Sequence, residues 1–155
     1  MHIHKLFLRH FNVCAAALVL IGANASWAGD IDFGKDIYPI LKESCLGCHS
    51  KAYIDADSGK LKKPKGGLRL DTPEWIQKGY EDDDGIQQFV IVAGDPLKSP
   101  FYTLTTLDPD DEDIMPAKGD TLTITQQALI RDWIAQGAKF GNFVAPEYVN
   151  PKAKP

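Results

Sequence analysis

Beyond residue 28 the chain is poor in the residue types most used for chemistry. It keeps two cysteines, Cys45 and Cys48, one histidine, His49, and one methionine, Met115. Two cysteines cannot form the disulfide framework of a small secreted scaffold. With one histidine beside them they also fall short of a four-ligand structural zinc site. Positive charge is scarce as well: residues 29–155 hold 15 Lys and Arg against 21 Asp and Glu, a net charge of −6. That balance argues against nucleic acid as a partner, because phosphate binding needs basic side chains gathered on one face. No internal repeat is present, and no apolar run reaches the ~20 residues a spanning helix needs. What remains, 44% hydrophobic and 25% charged over 155 residues, is ordinary globular composition.

The first 28 residues read as an export signal. Lys5 and Arg9 give a positive opening, Phe11 to Ala23 is apolar except for Asn12 and Gly22, and Ser26-Trp27-Ala28 offers small residues where a signal peptidase cuts. Cys14 lies within the apolar run and leaves with it. Cleavage after Ala28 would leave 127 residues, enough to bury a core without disulfides. The expectation is a soluble protein, periplasmic or otherwise exported, with no stable membrane span after cleavage; the alternative is a segment retained as an anchor. The parts of the chain are a signal over 1–28, one domain over 29–141 and an extended Pro-containing tail over 142–155.

The retained cysteines and histidine stand together as Cys45-Leu46-Gly47-Cys48-His49. C-x-x-C-H is the attachment signature of c-type haem. Each thiol adds across one vinyl group of the porphyrin, two intervening residues let the backbone curl along its edge, and the adjacent imidazole turns toward the iron. A disulfide or a redox dithiol is the competing reading, but no strand–helix alternation flanks the motif. A zinc site would have to recruit carboxylates. If haem is held here, Met115 is the only thioether left to complete the His/Met pair usual in cytochromes c. It sits in Asp113-Ile114-Met115-Pro116, in a loop-forming, acidic stretch where a methionine needs a reason; the alternative is an adaptable core filler.

The periodicity outlines the surroundings. Ile37, Ile40 and Leu41 repeat at helical spacing within 30–44, and Pro39 requires a helix start near Asp36 or a kink. Residues 50–67 are polar and Lys-rich, a loop by composition. Asp71 or Thr72 with Pro73 predicts a capped short helix through Tyr80. A short apolar run, 89–93, precedes a Gly94-Asp95-Pro96 turn, and Ser99-Pro100 opens a helical turn carrying Phe101, Tyr102 and Leu104. The strongest signal comes last: Thr123 and Gln126 make a capping box, Ile130, Trp133 and Ile134 form an apolar stripe, and Gly137 ends the helix. Trp133 is expected in the core, against the first helix.

Several of these pieces together resemble the planctomycete-type cytochrome c domain, itself similar to the class I cytochromes c. They are Asp36-Ile37-Tyr38-Pro39-Ile40-Leu41 before the haem motif and Gly66-Gly67-Leu68-Arg69-Leu70-Asp71 after it. Gly94-Asp95-Pro96 with Ser99, Met115-Pro116, Trp133-Ile134 and Gly137-Ala138 complete the set. The likeness spans about 33–141. It implies an all-α, class I cytochrome c-like fold with long connecting loops around one covalent haem c, with His49 and Met115 as axial iron ligands.

Other features extend this expectation. Arg69 is a candidate partner for a haem propionate, since its fork matches a carboxylate; the alternative is a solvated loop cation. Pro64 or a neighbour is expected to offer the carbonyl that orients the His49 ring. Acidic clusters at 81–84 and 108–113 read as solvated faces, and the second could attract a redox partner with a basic docking face. Two classes of function follow. One is an electron carrier with saturated iron, free or docked to a separate dehydrogenase. The other is a haem enzyme or ligand sensor with a displaceable sixth ligand.

Overall fold

A computed structural model describes residues 29–155; the export signal expected over 1–28, with Cys14, lies outside them. Asp32 opens the fold, its carboxylate accepting the Lys35 N–H at 2.9 Å, and Phe33–Ile37 forms a π-helical turn. That turn leads into α1, Tyr38–Ser44, with Pro39 in its first turn, where a missing N–H costs nothing. The Pro39 constraint is thus met by a change of helix type at Ile37–Tyr38. Thr72 caps α2, Pro73–Lys78, through the Trp75 N–H, and Pro73 opens it. Helix α3 is short, Pro100–Thr103, and runs into a 3-10 turn at Leu104–Thr106. The capping box at Thr123 and Gln126 starts α4, Ile124–Ala135.

Two small antiparallel hairpins add to the helices. β1, Tyr53–Ile54, pairs with β2, Leu61–Lys62, and β3, Tyr80–Glu81, pairs with β4, Gln87–Gln88. The polar 50–67 stretch carries the first, and α2 stops at Lys78 so that Tyr80 can enter the second. Gly79 makes the passage between them. Its φ is +70°, and a Cβ there would lie 2.0 Å from the Gln88 carbonyl oxygen.

The core forms where the first and last helical segments meet. Ile37, Leu41, Leu46, Ile130, Trp133 and Ile134 are almost wholly buried. The Trp133 ring lies 5.2 Å from Phe33 and 5.3 Å from Phe140, and its indole N–H donates to the Lys139 carbonyl at 2.8 Å. The expected contact with the first helix is therefore made through Phe33, in the π-helical turn. The Gly94-Asp95-Pro96 turn is tied to α4, with the Gly94 N–H donating to the Ile134 carbonyl. Ser99, fully buried, accepts the Val92 N–H and donates to the Asp95 carbonyl.

The tail beyond 141 lacks a helix yet packs on the domain. Phe143 meets Phe33 and Tyr38, with ring centroids 5.1 and 4.8 Å away. Further on, Asp55 and Ala153 form an isolated antiparallel bridge, so the tail lies beside the first hairpin. Among the described residues no helix is long and apolar enough to cross a membrane.

Candidate functional site: the Cys45–His49 turn

Cys45 to His49 is one helical turn continuing from α1. The Cys45 and Leu46 N–H groups both donate to Leu41, and those of Cys48 and His49 both donate to Cys45. Side chains three apart on such a turn share a face, so the two thiols are neighbours with His49 next to them. Leu46, fully buried, anchors the turn in the core. Both cysteines are free; Cys45 is half-buried and Cys48 exposed. Burial, together with neighbouring Cys48, pushes the Cys45 thiol up to about 12.

The segment after the motif folds back over it. The Lys65 N–H donates to the Cys48 carbonyl at 3.0 Å and the Leu70 N–H to the His49 carbonyl at 2.8 Å. Between these two anchors, Gly66 and Gly67 take φ of +56° and +69°, a left-handed reversal that side chains resist. The reversal brings the Leu68 carbonyl to 3.3 Å from His49 Nδ1. The carbonyl facing the ring is therefore that of Leu68, whereas Pro64 accepts the Gly67 N–H. Burial lowers the His49 pKa, partly opposed by the backbone at Leu68 and Lys65. A neutral ring with Nδ1–H on a carbonyl leaves Nε2 with a lone pair for a metal.

Arg69 is engaged by a carboxylate of its own chain. Its Nε and Nη2 donate to the two carboxylate oxygens of Asp71 at 2.9 and 2.7 Å, and its guanidinium stacks 4.2 Å over Trp75. Asp71 is buried and also accepts the Lys51 N–H. The pair clips the start of the lysine-rich loop to its end, so its placement supports the wrap over His49.

Met115 comes from another part of the chain. Its N–H donates to the Leu104 carbonyl at 2.9 Å, and the Thr105 carbonyl next to it accepts from Gln127 of α4 at 2.7 Å. The residue is half-buried, and no hydrogen bond joins it to the Cys45–His49 turn among the described residues. The acidic stretch before it, 108–113, is exposed except at its last position's neighbour Ile114, which is buried.

One contributor escaped the sequence reading. Asn150, buried in the tail, donates from Nδ2 to the Gly47 carbonyl at 3.1 Å, inside the motif itself, and accepts the Lys152 N–H at 3.0 Å. Nothing in its Pro-flanked surroundings signals a contact with a residue 103 positions earlier.

The donor set suits a covalently attached c-type haem. It offers two unbridged thiols on one face of a turn and an imidazole oriented by a carbonyl. Among the described residues no three His, Cys, Asp or Glu side chains gather as a metal cluster, so the carboxylate-completed zinc site has no geometric support. Clefts of about 190 and 280 Å³ lie elsewhere, the first against Ile76 and Phe140 and the second against Ile31 and Leu129. No family model, curated protein or solved structure matches this chain.

Proposed function

We propose that this protein is an exported c-type cytochrome that carries single electrons on one covalent haem. The observation that carries the reading is the Cys45–His49 turn, in which both thiols are free and the imidazole is already oriented by the Leu68 carbonyl. When bound, haem c would supply a one-electron ferric–ferrous couple. Everything else is the work of the chain. Cys45 and Cys48 would hold the haem edge through thioether bonds. The raised Cys45 pKa keeps that thiol protonated at neutral pH. His49, kept neutral by burial, would donate Nε2 to the metal. Met115 would supply a second iron ligand from the loop after the Leu104–Thr106 turn, which accepts the Met115 N–H and is itself tied to α4 through Gln127.

With His49 and Met115 both engaged, residues 29–155 would hold no second histidine to assist a substrate. Arg69 keeps only Nη1 for a haem carboxylate, since Nε and Nη2 are engaged by Asp71. Redox proteins are the proposed partners, and the exposed acidic stretch before Met115 would meet a basic face on one of them, leaving other surfaces of the chain for a second.

The test is the visible spectrum of the exported protein with and without carbon monoxide, for the native chain and for Met115→Ala. A native spectrum indifferent to carbon monoxide, with Met115→Ala binding it and shifting to lower potential, supports the carrier. Ready carbon monoxide binding by the native protein would move the haem enzyme or sensor ahead.

A further inference from the structure

Charge is distributed unevenly over this acidic molecule. Lys51, Lys60, Lys62, Lys63 and Lys65 surround the β1–β2 hairpin, and all five are exposed. The tail adds Lys152 and Lys154, also exposed, by pairing with β1: the Ala56 N–H donates to the Lys152 carbonyl at 2.9 Å, and the Lys154 N–H to the Ile54 carbonyl at 2.7 Å. Within 50–65 and 150–155 the only acidic residues are Asp55 and Asp57, whereas the rest of 29–155 holds 8 basic against 19 acidic residues. None of these seven lysines is in an ion pair among the described residues. Packing like charges together is unfavourable for the fold, and Asp55, on which Lys62 and Lys152 act, offsets only part of it.

The centre of the lobe is apolar. Ile54 and Leu61 are cross-strand partners and are 43% and 56% exposed. Two aliphatic side chains ringed by lysines have the anatomy of a protein interface, an apolar centre with a charged rim. The lobe is also built directly on the candidate site, through Lys65 N–H on Cys48 and Asn150 on Gly47. A partner seated on it would lie against the Cys45–His49 turn.

We propose that this lysine lobe is the docking surface for an acidic partner protein, with Ile54 and Leu61 as its apolar anchor. That the partner exchanges electrons rests on the electron-carrier reading; the docking itself does not. The probe is a fluorescent 20-residue peptide of repeated Leu-Glu-Glu-Glu, followed by anisotropy at low salt. Two triple variants carry the same net charge: Lys62→Gln/Lys63→Gln/Lys152→Gln in the lobe and Lys35→Gln/Lys42→Gln/Lys139→Gln away from it. The lobe triple is expected to weaken binding about tenfold and the distant triple less than about twofold. Ile54→Ser/Leu61→Ser should cost a further few-fold. Circular dichroism checks that each variant is folded.

Equal weakening by the two triples, or no binding by the native chain, would overturn the proposal. Binding to vesicles of one part phosphatidylglycerol to three of phosphatidylcholine, abolished by the lobe triple while the peptide is ignored, would overturn it in favour of a membrane surface. Absorbance of the same samples reports haem separately. Lobe-dependent binding without haem would sustain the docking surface and reject the carrier; haem without lobe-dependent binding would do the reverse.

Discussion

Removing the Arg69 guanidinium should destabilise the fold more than neutralising its partner. Asp71 is 5% exposed and accepts three hydrogen bonds, two of them from Arg69. In Arg69→Met the aliphatic stem can remain on Trp75, but the carboxylate is left buried with only the Lys51 N–H. Breaking a buried pair from one side costs about 3–5 kcal/mol. The surviving Lys51 bond and the 18% exposure of the Arg69 side chain let water recover part of it, which sets the expectation near 3 kcal/mol. Asp71→Asn keeps the shape and leaves a cation that can turn toward solvent, so about 1–2 kcal/mol is expected. The double variant should show a coupling energy of about 2 kcal/mol. Urea unfolding followed by tryptophan fluorescence measures all four corners. Equal costs for the two single variants, or coupling under about 0.5 kcal/mol, would refute the account of this pair as a one-sided buried clip.

Other consequences follow from single contacts. Asn150→Ala should cost about 1–2 kcal/mol and speed amide exchange at Cys48 and His49, because the Gly47 carbonyl loses its donor; unchanged exchange there would detach the tail from the motif. Gly79→Ala should destabilise by more than about 1 kcal/mol, read as a lower urea midpoint, since its Cβ would meet the Gln88 carbonyl. The hydroxyl and amide of Ser58 hold the Asp55 carboxyl below its ordinary value. Its contribution to the hairpin–tail junction is therefore complete above the ordinary Asp pKa and is lost as pH falls through the lower folded value. Amide shifts of Ala56 and Lys154 followed from pH 6 to pH 2 should show that acid transition, and Ser58→Ala should move it upward. Trp133→Ala should cost about 3–5 kcal/mol, measured by thermal unfolding.

Features written within a few residues of one another were legible in the sequence. The capping box at Thr123–Gln126, the Thr72-Pro73 start of α2, the constraint at Pro39 and the burial of Trp133 each depend on local backbone chemistry or one apolar stripe. Long-range pairings were less accessible. The two hairpins have strands of two residues each, too short for alternation to register. The sequence points only to Pro64 or a neighbour for the carbonyl that faces His49, and Leu68 takes that place because of how far Gly66 and Gly67 turn the chain. Arg69 looked available for a carboxylate, and it is, but the carboxylate it holds is two residues away. The tail read as extended from its prolines, while its docking depends on Asn150 and on backbone pairing with β1, neither of which has a sequence period. The Cys45–His49 turn was legible as a unit because its residues are consecutive in the chain. The lysines of 50–65 were equally plain, but their union with Lys152 and Lys154 appears only in three dimensions.

The central claim is that Cys45 and Cys48 hold a haem covalently. The most direct measurement is the intact mass and haem stain, under denaturing conditions, of the protein exported by a host with haem-attachment machinery, beside Cys45→Ala/Cys48→Ala. The account predicts one haem per native chain that survives denaturation, and none on the double variant. A native chain without haem, while a control cytochrome matures in the same host, would contradict it.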